Sequence, residues 1–294
     1  MKLMVIGGAG FLGRYLVREL LKDNRVERLY CLVHSRSIGI DDARVISVEG
    51  DVRRMDSIKT GSDADACIII SGIMDRRGAR RQDVMAINYG GVLSCIEWCR
   101  RAKIKKIVLT SSINVRLEKQ GIYAQSKTKA EAAVRESGLD FIIFRPALIY
   151  GYGCKEGLGV IEQFIKRFGI VPVFGNGRKL EQPVHVDECA AFMAFYILNE
   201  KYNRVIELLG SEAMDYNTLC RTIAMCIRKK VRLIHVPAGI CAAAAGILEK
   251  VNIKFPVSLE QIYHIDSDLA GDMTGIYQET GIRCGSFRDN YMKS

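Results

Sequence analysis

Tyr123 and Lys127 are the residues of this sequence whose types and spacing most directly suggest acid–base chemistry. They lie four residues apart in the stretch IYAQSK, which has the pattern of a helix start. Because four residues make about one helical turn, the phenol and the ammonium would point the same way and reach one small molecule. A free phenol has a pKa of about 10, and a nearby ammonium lowers that pKa by favouring the phenolate. Taken alone, the spacing favours the interpretation that these are two polar residues on a solvated helical face over the interpretation that they are an acid–base pair. Other features of the sequence have to decide between the two.

Alternating strand-like and helical runs from residue 2 to about residue 150 must position this pair. The strand-like runs are KLMVIG, RLYCLVH, ARVISVEGD, ACIIISG, KKIVLTSS and DFIIFRPALIYG, and helical patterns separate most of them. Strands this uniformly apolar indicate a parallel sheet that is covered on both faces. We therefore predict an α/β fold whose first part, residues 1–150, is a doubly wound parallel sheet.

After residue 150 the pattern changes. A helical run (GVIEQFIKRFG), short extended pieces (VPVFGNG and QPVHVDE) and further helices follow in mixed order. This order is not that of a second parallel sheet. We predict a smaller mixed α/β C-terminal lobe over residues 151–294 that binds the substrate, is interleaved with the first part and does not fold independently.

A glycine-rich turn joins the first predicted strand to the first helix. Its sequence, VIGGAGFLG, fits two overlapping glycine patterns of the form G-x-G-x-x-G and G-x-x-G-x-x-G. Glycines are needed where the turn is tight, where the backbone approaches a pyrophosphate and where the helix packs closely on the strand. The amides of the helix N-terminus then face the anion. The turn predicts dinucleotide binding by Gly7, Gly8, Gly10, Phe11, Leu12 and Gly13. It therefore predicts that the doubly wound sheet of residues 1–150 is a Rossmann-type domain that binds NAD(P).

The end of the second predicted strand bears on which dinucleotide is bound. NAD-binding proteins of this fold usually place an acid there on the ribose hydroxyls, whereas a 2′-phosphate requires a cation. Here LVHSRS has His34 at that position and Arg36 two residues later, which favours NADP(H) over NAD unless Arg36 is only a surface residue. Asp51, followed by Val52, ends the third strand, where a carboxylate can meet the adenine or cap the next turn.

Composition argues against several other classes of function. The formal charge of +10 comes from dispersed basic pairs without an aromatic-interleaved stripe, so we predict no nucleic-acid partner. The ten cysteines form no C-x-x-C pair, which indicates reduced buried thiols, no metal site and a cytoplasmic location. Glycines interrupt the apolar N-terminal stretch, and the run ICAAAAGIL is too short to span a bilayer. We expect a soluble protein without a signal peptide or membrane span.

Several motifs together resemble the short-chain dehydrogenase/reductase superfamily. They are GGAGFLG, the strand-end TSS, Tyr-x-x-Ser-Lys at residues 123–127, and FRPALIYG. The segments PVHVDECA and DMTGIYQETGIRCGSF are similar to later elements of its extended branch, the NAD-dependent epimerase/dehydratase family. The resemblance spans nearly the whole chain. It implies NAD(P)(H)-dependent oxidoreductase or epimerase activity on a carbonyl or alcohol, with a nucleotide-linked sugar as the small-molecule substrate.

The resemblance also implies roles for individual residues. Tyr123 would be the acid–base residue, Lys127 would tune it and bond the nicotinamide ribose, and Ser112 would position the reacting oxygen. Further cofactor contacts would come from residues at the ends of two strands, which are Ser71, Gly72, Pro146 and Ala147.

Other polar residues have both a functional and a structural interpretation. Asn88 matches an asparagine of the family, but it would also serve simply to begin a helix. Asp187 fits a helix cap better than a catalytic acid, and His185 fits a structural role better than a base. Four basic residues would face either a substrate diphosphate or only solvent. They are Lys166, Arg167, Arg178 and Lys179.

A second hypothesis stays open beside the enzyme. Ten residues, 113–122, separate Ser112 from Tyr123, and sugar epimerases of the family usually carry a longer loop there. The middle and C-terminal parts also look like an atypical branch related to the dehydrogenase-like accessory subunit of respiratory complex I. The alternative is therefore an NADPH-binding structural or sensor protein without catalysis. In many relatives the helices that correspond to residues 84–101 and 124–136 pair across a two-fold axis, so we predict a homodimer.

Overall fold

The computed structural model describes residues 1–34, 37–74, 80–237 and 267–293. At its centre lies a sheet of seven strands that all pair in parallel. The strands are β1 (Lys2–Ile6), β2 (Arg28–Val33), β3 (Val45–Glu49), β4 (Ala66–Ile69), β5 (Lys106–Thr110), β6 (Asp140–Pro146) and β11 (Arg204–Leu208). Their order across the sheet is β11-β6-β5-β4-β1-β2-β3. The direction in which successive strands are added to the sheet reverses between β1 and β4. In such sheets a ligand binds in the crevice at the carboxyl ends of those two strands.

Helices cover the two faces of this sheet, which confirms the predicted doubly wound fold. Helix α1 (Phe11–Leu20) packs against α6 (Val186–Leu198) on one face, and α3 (Gly91–Ala102) packs against α4 (Ile122–Arg135) on the other. Among the described residues, the longest helical stretch consists of two α-helical parts joined by a π-helical turn at Ala86–Gly90. The helices of these two layers are α1 (Phe11–Leu20), α2 (Arg81–Met85), α3 (Gly91–Ala102), α4 (Ile122–Arg135) and α6 (Val186–Leu198).

Residues of the central strands alternate between two buried apolar clusters. In β1, Leu3 and Val5 belong to the cluster under α1 and α6, whereas Met4 and Ile6 belong to the cluster under α3. All four side chains are at most 1% exposed. Because full burial of such a side chain contributes about 1.5–3 kcal/mol, this double coverage makes the sheet a rigid platform for the loops at its edge.

The remaining described elements form the smaller lobe. Its strands pair as β8 with β13 and β7 with β10 in parallel, and as β9 with β12 in antiparallel fashion. Its strands are β7 (Ile149–Tyr150), β8 (Ile170–Phe174), β9 (Leu180–Glu181), β10 (Val184–His185), β12 (Met214–Asp215) and β13 (Arg232–Val236). Its helices are α5 (Leu158–Phe168), α7 (Tyr216–Cys226), α8 (Thr274–Thr280) and α9 (Phe287–Lys293). A third apolar cluster, centred on α5, α7 and Phe287, holds this lobe together.

Two elements that follow residue 150 belong to the main sheet and its cover. Strand β11 pairs with β6, and helix α6 packs against α1. The predicted division at residue 150 therefore stays a prediction about folding units. Within the described ranges no helix is long and apolar enough to cross a bilayer. The nine cysteines of those ranges are free thiols.

Candidate functional site

The glycine turn after β1 has the geometry that close approach of a ligand requires. Gly7 has a φ of +92°, and a Cβ there would lie 2.6 Å from the amide nitrogen of Ser71. A Cβ on Gly13 would lie 2.2 Å from the carbonyl oxygen of Gly7, so helix and turn touch through backbone alone. Gly10 is the N-cap of α1, and within the described part of the chain no side chain caps this helix. The first-turn amides are thus presented for an anion.

The side chains of the other predicted residues of the turn pack against the protein itself. A Cβ on Gly8 would meet the Sγ of Cys31 and the Cδ1 of Ile38 at 3.4 Å, so this position faces the core. Leu12 is buried in the same core. Phe11 makes an edge-on ring contact with Tyr15 at 5.7 Å. We therefore expect these residues to contact a ligand through their backbone, because their side chains pack against other residues of the protein.

A cleft of about 290 Å³ opens above this turn at the switch point of the sheet. It gathers residues from the ends of β1, β2, β3 and β4, as the fold rule requires. Six of the predicted cofactor residues line it, namely Gly7, Gly10, His34, Asp51, Val52 and Ser71. Residues that the sequence did not single out complete the wall, namely Ile6, Ala9, Leu32, Val33, Gly50, Arg53 and Ile87.

Asp51 caps the 3₁₀ helix Val52–Ser57 by accepting from the amide of Arg53 at 2.9 Å. The guanidinium of Arg53 also bonds both carboxylate oxygens, and it lowers the pKa of Asp51 to about 2. His34 lies farther off, with its Nε2 3.9 Å from the same carboxylate. The capping interpretation of Asp51 is confirmed, and its contact with adenine stays a prediction. Arg36 lies outside the described residues, so the structure does not test the NADP preference.

Ser71 and Gly72 join the cleft to the predicted catalytic residues. The Oγ of Ser71 is buried, and no group of the described residues bonds it. A Cβ on Gly72 would lie 3.1 Å from the Nζ of Lys127 and 3.3 Å from the Oδ1 of Asn88. The short segment after β4 therefore touches the dinucleotide cleft on one side and the lysine ammonium on the other.

Lys127 is a buried cation at the carboxyl end of β5. Its side chain comes from α4, is 3% exposed, and donates to the carbonyl oxygen of Thr110 at 2.8 Å. Burial lowers the pKa of Lys127 to about 8, against the opposing influence of Glu131 one helical turn later. The Nζ lies 6.0 Å from the ring centroid of Tyr123. The structure thus brings the tyrosine and the lysine together in one partly desolvated place, which a solvated helical face would not do.

Tyr123 and Ser112 stand at the starts of neighbouring helical turns. Tyr123 is half-buried in the first turn of α4, where Ser126 Oγ donates to its carbonyl oxygen at 2.6 Å. Ser112 follows β5 and caps the 3₁₀ helix Ile113–Arg116, because its Oγ accepts from the amide of Asn114 at 3.2 Å. That bond leaves the hydroxyl proton of Ser112 available to a reacting oxygen.

Asn88 has a larger structural role than the sequence suggested. It does not begin a helix but is buried in the π-helical turn Ala86–Gly90. Its side-chain amide accepts from the amide of Ile73 at 2.8 Å and donates to the Ile73 carbonyl at 2.9 Å. It also donates to Ser126 Oγ at 3.0 Å. Asn88 therefore fixes the segment after β4 to helix α4, and the interpretation as a helix-initiating residue is wrong.

A buried ion pair that the sequence analysis missed lies behind Lys127. Glu131 of α4 is 4% exposed and accepts two hydrogen bonds from Arg145 of β6, at 2.9 and 2.8 Å. Burial alone would raise the pKa of Glu131, but Arg145 and Arg135 hold that pKa below its usual value. The pair ties α4 to the strand that ends in Pro146. No sequence spacing predicts this pair, because its two residues lie on different elements of the fold.

The remaining predicted residues lie where the strand order places them. Pro146 ends β6, and the amide of Ala147 donates to Leu208 of β11 at 2.9 Å. Neither residue lines the cleft above the glycine turn. The cap of α6 is His185, whose Nδ1 accepts from the amide of Asp187 at 3.4 Å, so the assignment of Asp187 as the cap is wrong.

This arrangement fits a nicotinamide dinucleotide. The glycine cradle has no room for side chains, the helix N-terminus is uncapped, and the buried hydroxyl of Ser71 lacks a partner among described residues. Next to Ser71, which lines the cleft, a Cβ on Gly72 would lie 3.1 Å from the Lys127 ammonium, and that ammonium lies beside the Tyr123 phenol ring. The donor set suits a bound anion at one end and proton exchange at the other.

Comparisons with known proteins agree with this geometry. Residues 4–203 match the model of the 3-beta hydroxysteroid dehydrogenase/isomerase family. The chain is 29% identical over 247 residues to the ceramide reductase of Caulobacter vibrioides, which covers 82% of this chain and 75% of that protein. It is 26% identical over 289 residues to the mitochondrial NADH dehydrogenase (ubiquinone) 1 alpha subcomplex subunit 9 of Arabidopsis thaliana, covering 89% and 67%.

The fold has solved counterparts as well. The dTDP-glucose 4,6-dehydratase of Streptomyces venezuelae, whose crystal structure contains NAD, superposes with a TM-score of 0.78. The two sequences are 21% identical, and the match covers 100% of this chain and 95% of that one. At this identity the likeness concerns the fold.

Proposed function

This chain belongs to the 3-beta hydroxysteroid dehydrogenase/isomerase family, within the extended short-chain dehydrogenase/reductases, and from that premise we propose that it is an NAD(P)(H)-dependent oxidoreductase or epimerase. The observation that carries the proposal is the burial of the Lys127 ammonium beside Tyr123. Holding a dinucleotide does not require a phenol beside the ammonium. A phenol whose pKa a neighbouring ammonium lowers suits proton exchange with a carbonyl or alcohol.

The dinucleotide would be held by the glycine cradle and the cleft above it. The amides at the start of α1 would bind the pyrophosphate, and Ser71 and Gly72 would contact the nucleotide. We propose NADP(H) as the preferred form, on the strength of Arg36 and the absence of an acid at His34. When bound, the nicotinamide supplies or accepts the hydride. The protein contributes position, charge and exclusion of water.

Tyr123 would exchange the proton with the reacting oxygen. At neutral pH Lys127 is still charged, because its pKa of about 8 lies above that pH, and its charge favours the phenolate. Ser112 would donate its hydroxyl proton to the same oxygen and orient it. Asn88 and the Glu131–Arg145 pair would hold helix α4, which carries Tyr123 and Lys127.

The substrate would be a carbonyl or an alcohol of one of two chemical classes. A nucleotide-linked sugar follows from the sequence resemblance. A hydrophobic substrate follows from the family description and from the ceramide reductase, which is similar to this chain over 82% of its length. The short segment between Ser112 and Tyr123, a 3₁₀ turn at Ile113–Arg116, offers less wall for a nucleotide, which favours the hydrophobic class.

A second candidate function is favoured by one relative. The Arabidopsis respiratory-chain subunit is similar to this chain over 89% of its length, so a protein that binds NADPH without turnover is the alternative. In such a protein the cleft would be retained, and Tyr123 would contribute nothing measurable. The alternative therefore predicts binding without chemistry.

Cofactor titration followed by a substrate screen separates the two candidates. We expect NADPH to change its fluorescence on binding, and a panel of long-chain ketones, sterols and nucleotide sugars to contain a substrate that is turned over. Tyr123→Phe should remove that turnover, and Tyr152→Phe, on an exposed side chain, is the matched control. If NADPH binds, no panel member reacts, and Tyr123→Phe changes nothing, the enzyme proposal is lost and the binding protein remains.

A further inference from the structure

A cluster of exposed apolar and basic side chains lies on the smaller lobe and contains none of the residues assigned above to the cofactor or to catalysis. We call residues 166–170 and 225–234 the β8–β13 patch. Seven large apolar side chains are exposed among the described residues, and four belong to the patch. Phe168, Ile170, Met225 and Ile234 are exposed by 55%, 38%, 53% and 44%. Apolar side chains grouped in this way on a surface mark an interaction site more often than scattered ones do.

The backbone brings the two segments of the patch side by side. The amide of Arg232 donates to the carbonyl of Gly169 at 2.9 Å, and Arg232 pairs with Ile170 in the parallel register of β8 and β13. Ile234 lies two residues further along its strand, so it points from the same face of the two-stranded sheet as Ile170. Ile170, Arg232 and Ile234 therefore lie on one surface.

The charge of the patch is of one sign. Neither segment contains Asp or Glu, and five of its cations have no carboxylate partner among the described residues. These cations are Arg167, Arg228, Lys229, Lys230 and Arg232. The sixth, Lys166, is neutralised by Glu162. One basic run lies in the last turn of α5 and another follows the end of α7, where cations also suit the helix dipole. The dipole does not account for the exposed apolar residues of the patch.

From this combination we infer that the β8–β13 patch docks the protein on an anionic lipid surface. Basic side chains would meet the headgroups, and Phe168, Ile170 and Ile234 would enter the boundary with the acyl chains. A nucleic acid fits less well, since single-stranded chains bind through free aromatic faces. Here the only aromatic side chain of the patch, Phe168, is already stacked under the Arg167 guanidinium at 5.2 Å. The inference goes beyond the proposed function and needs no turnover.

Co-sedimentation with lipid vesicles tests the inference. We expect the protein to bind vesicles of phosphatidylcholine mixed with phosphatidylserine, and to bind phosphatidylcholine alone weakly. Each basic residue near an anionic leaflet is worth about a five-fold gain in partitioning, so Arg167→Gln/Lys229→Gln/Lys230→Gln should lower the partition coefficient on the order of a hundred-fold. The matched control, Arg28→Gln/Lys59→Gln/Lys105→Gln, removes three exposed cations from the main domain and should change it little.

A second variant tests the apolar part. Ile170→Ser/Ile234→Ser should abolish the binding that persists at high salt, where charge is screened. Equal thermal melting of all variants shows that they fold. The inference is overturned if the wild type does not bind anionic vesicles, if the two charge variants bind equally, or if the serine variant binds as the wild type does. If no protein binds vesicles, and Arg167→Gln/Lys229→Gln/Lys230→Gln loses the RNA oligonucleotide binding that the wild type shows, the patch is assigned to nucleic acid instead.

Discussion

Replacing Lys127 with methionine tests whether the protein holds a buried charge at a cost in stability. Burial lowers the pKa of this lysine from 10.5 to about 8. Each pKa unit corresponds to about 1.4 kcal/mol, so the charged native state is destabilised by about 3 kcal/mol at pH 7. The bond to the Thr110 carbonyl offsets about 1 kcal/mol of this. Lys127→Met keeps the apolar length of the side chain. We therefore expect its free energy of unfolding at neutral pH to be about 2 kcal/mol higher than that of the wild type.

The pH dependence is the sharper part of this prediction. Between pH 8 and pH 10.5 the native state has released a proton that the unfolded state still holds, so the stability of the wild type rises with pH. The methionine variant lacks this gain. The difference between the two proteins should therefore shrink by about 2 kcal/mol between neutral pH and about pH 9.5.

Urea unfolding at several pH values measures this difference. The single tryptophan, Trp98, is a suitable probe because it is buried and donates to the Ile58 carbonyl at 2.9 Å. Lys129→Met, at an exposed position of the same helix, is the control and should show no such trend. A free-energy difference between wild type and Lys127→Met that stays constant from neutral to alkaline pH would refute the reasoning.

Three further predictions concern the cofactor and the assembly. Gly13→Ala should destabilise the protein by about 3 kcal/mol and remove NADPH binding, because its Cβ would lie 2.2 Å from the Gly7 carbonyl; Gly275→Ala, with open space around it, is the control in both assays. Arg36→Ala should weaken NADPH about ten-fold or more while NADH changes less, and an equal loss of both would reject the phosphate assignment. The protein should sediment as a dimer, and Leu93→Glu, at an exposed apolar position of α3, should dissociate it. Sedimentation as a monomer at every concentration would contradict the dimer.

Local patterns were enough to predict the fold, because each strand and helix carries its own periodicity. The run KLMVIG became β1, and the turn VIGGAGFLG became the cradle with Gly7 at a positive φ. The Tyr123–Lys127 spacing was likewise sufficient to place both on one helical face. These features depend on residues that are near each other in the chain.

The contacts that sequence reasoning missed join residues far apart in the chain. Asn88 bonds Ser126, and Glu131 bonds Arg145, across different elements of the fold. Neither pair has a periodic signal, since each becomes visible only after the strand order is known. The cap of α6 was misassigned for a local reason, because Asp187 is a commoner capping type than His185.

The central claim is that Tyr123 exchanges the proton in a site that binds NADPH independently of it. Comparison of turnover and NADPH affinity in Tyr123→Phe, with the best substrate of the screen, tests this claim most directly. Loss of a positioned acid–base residue should lower kcat by about a hundred-fold or more, while the Kd for NADPH should change by less than about two-fold. A phenylalanine variant that turns over as the wild type does would contradict the account, and so would one that loses turnover only in proportion to its loss of NADPH affinity.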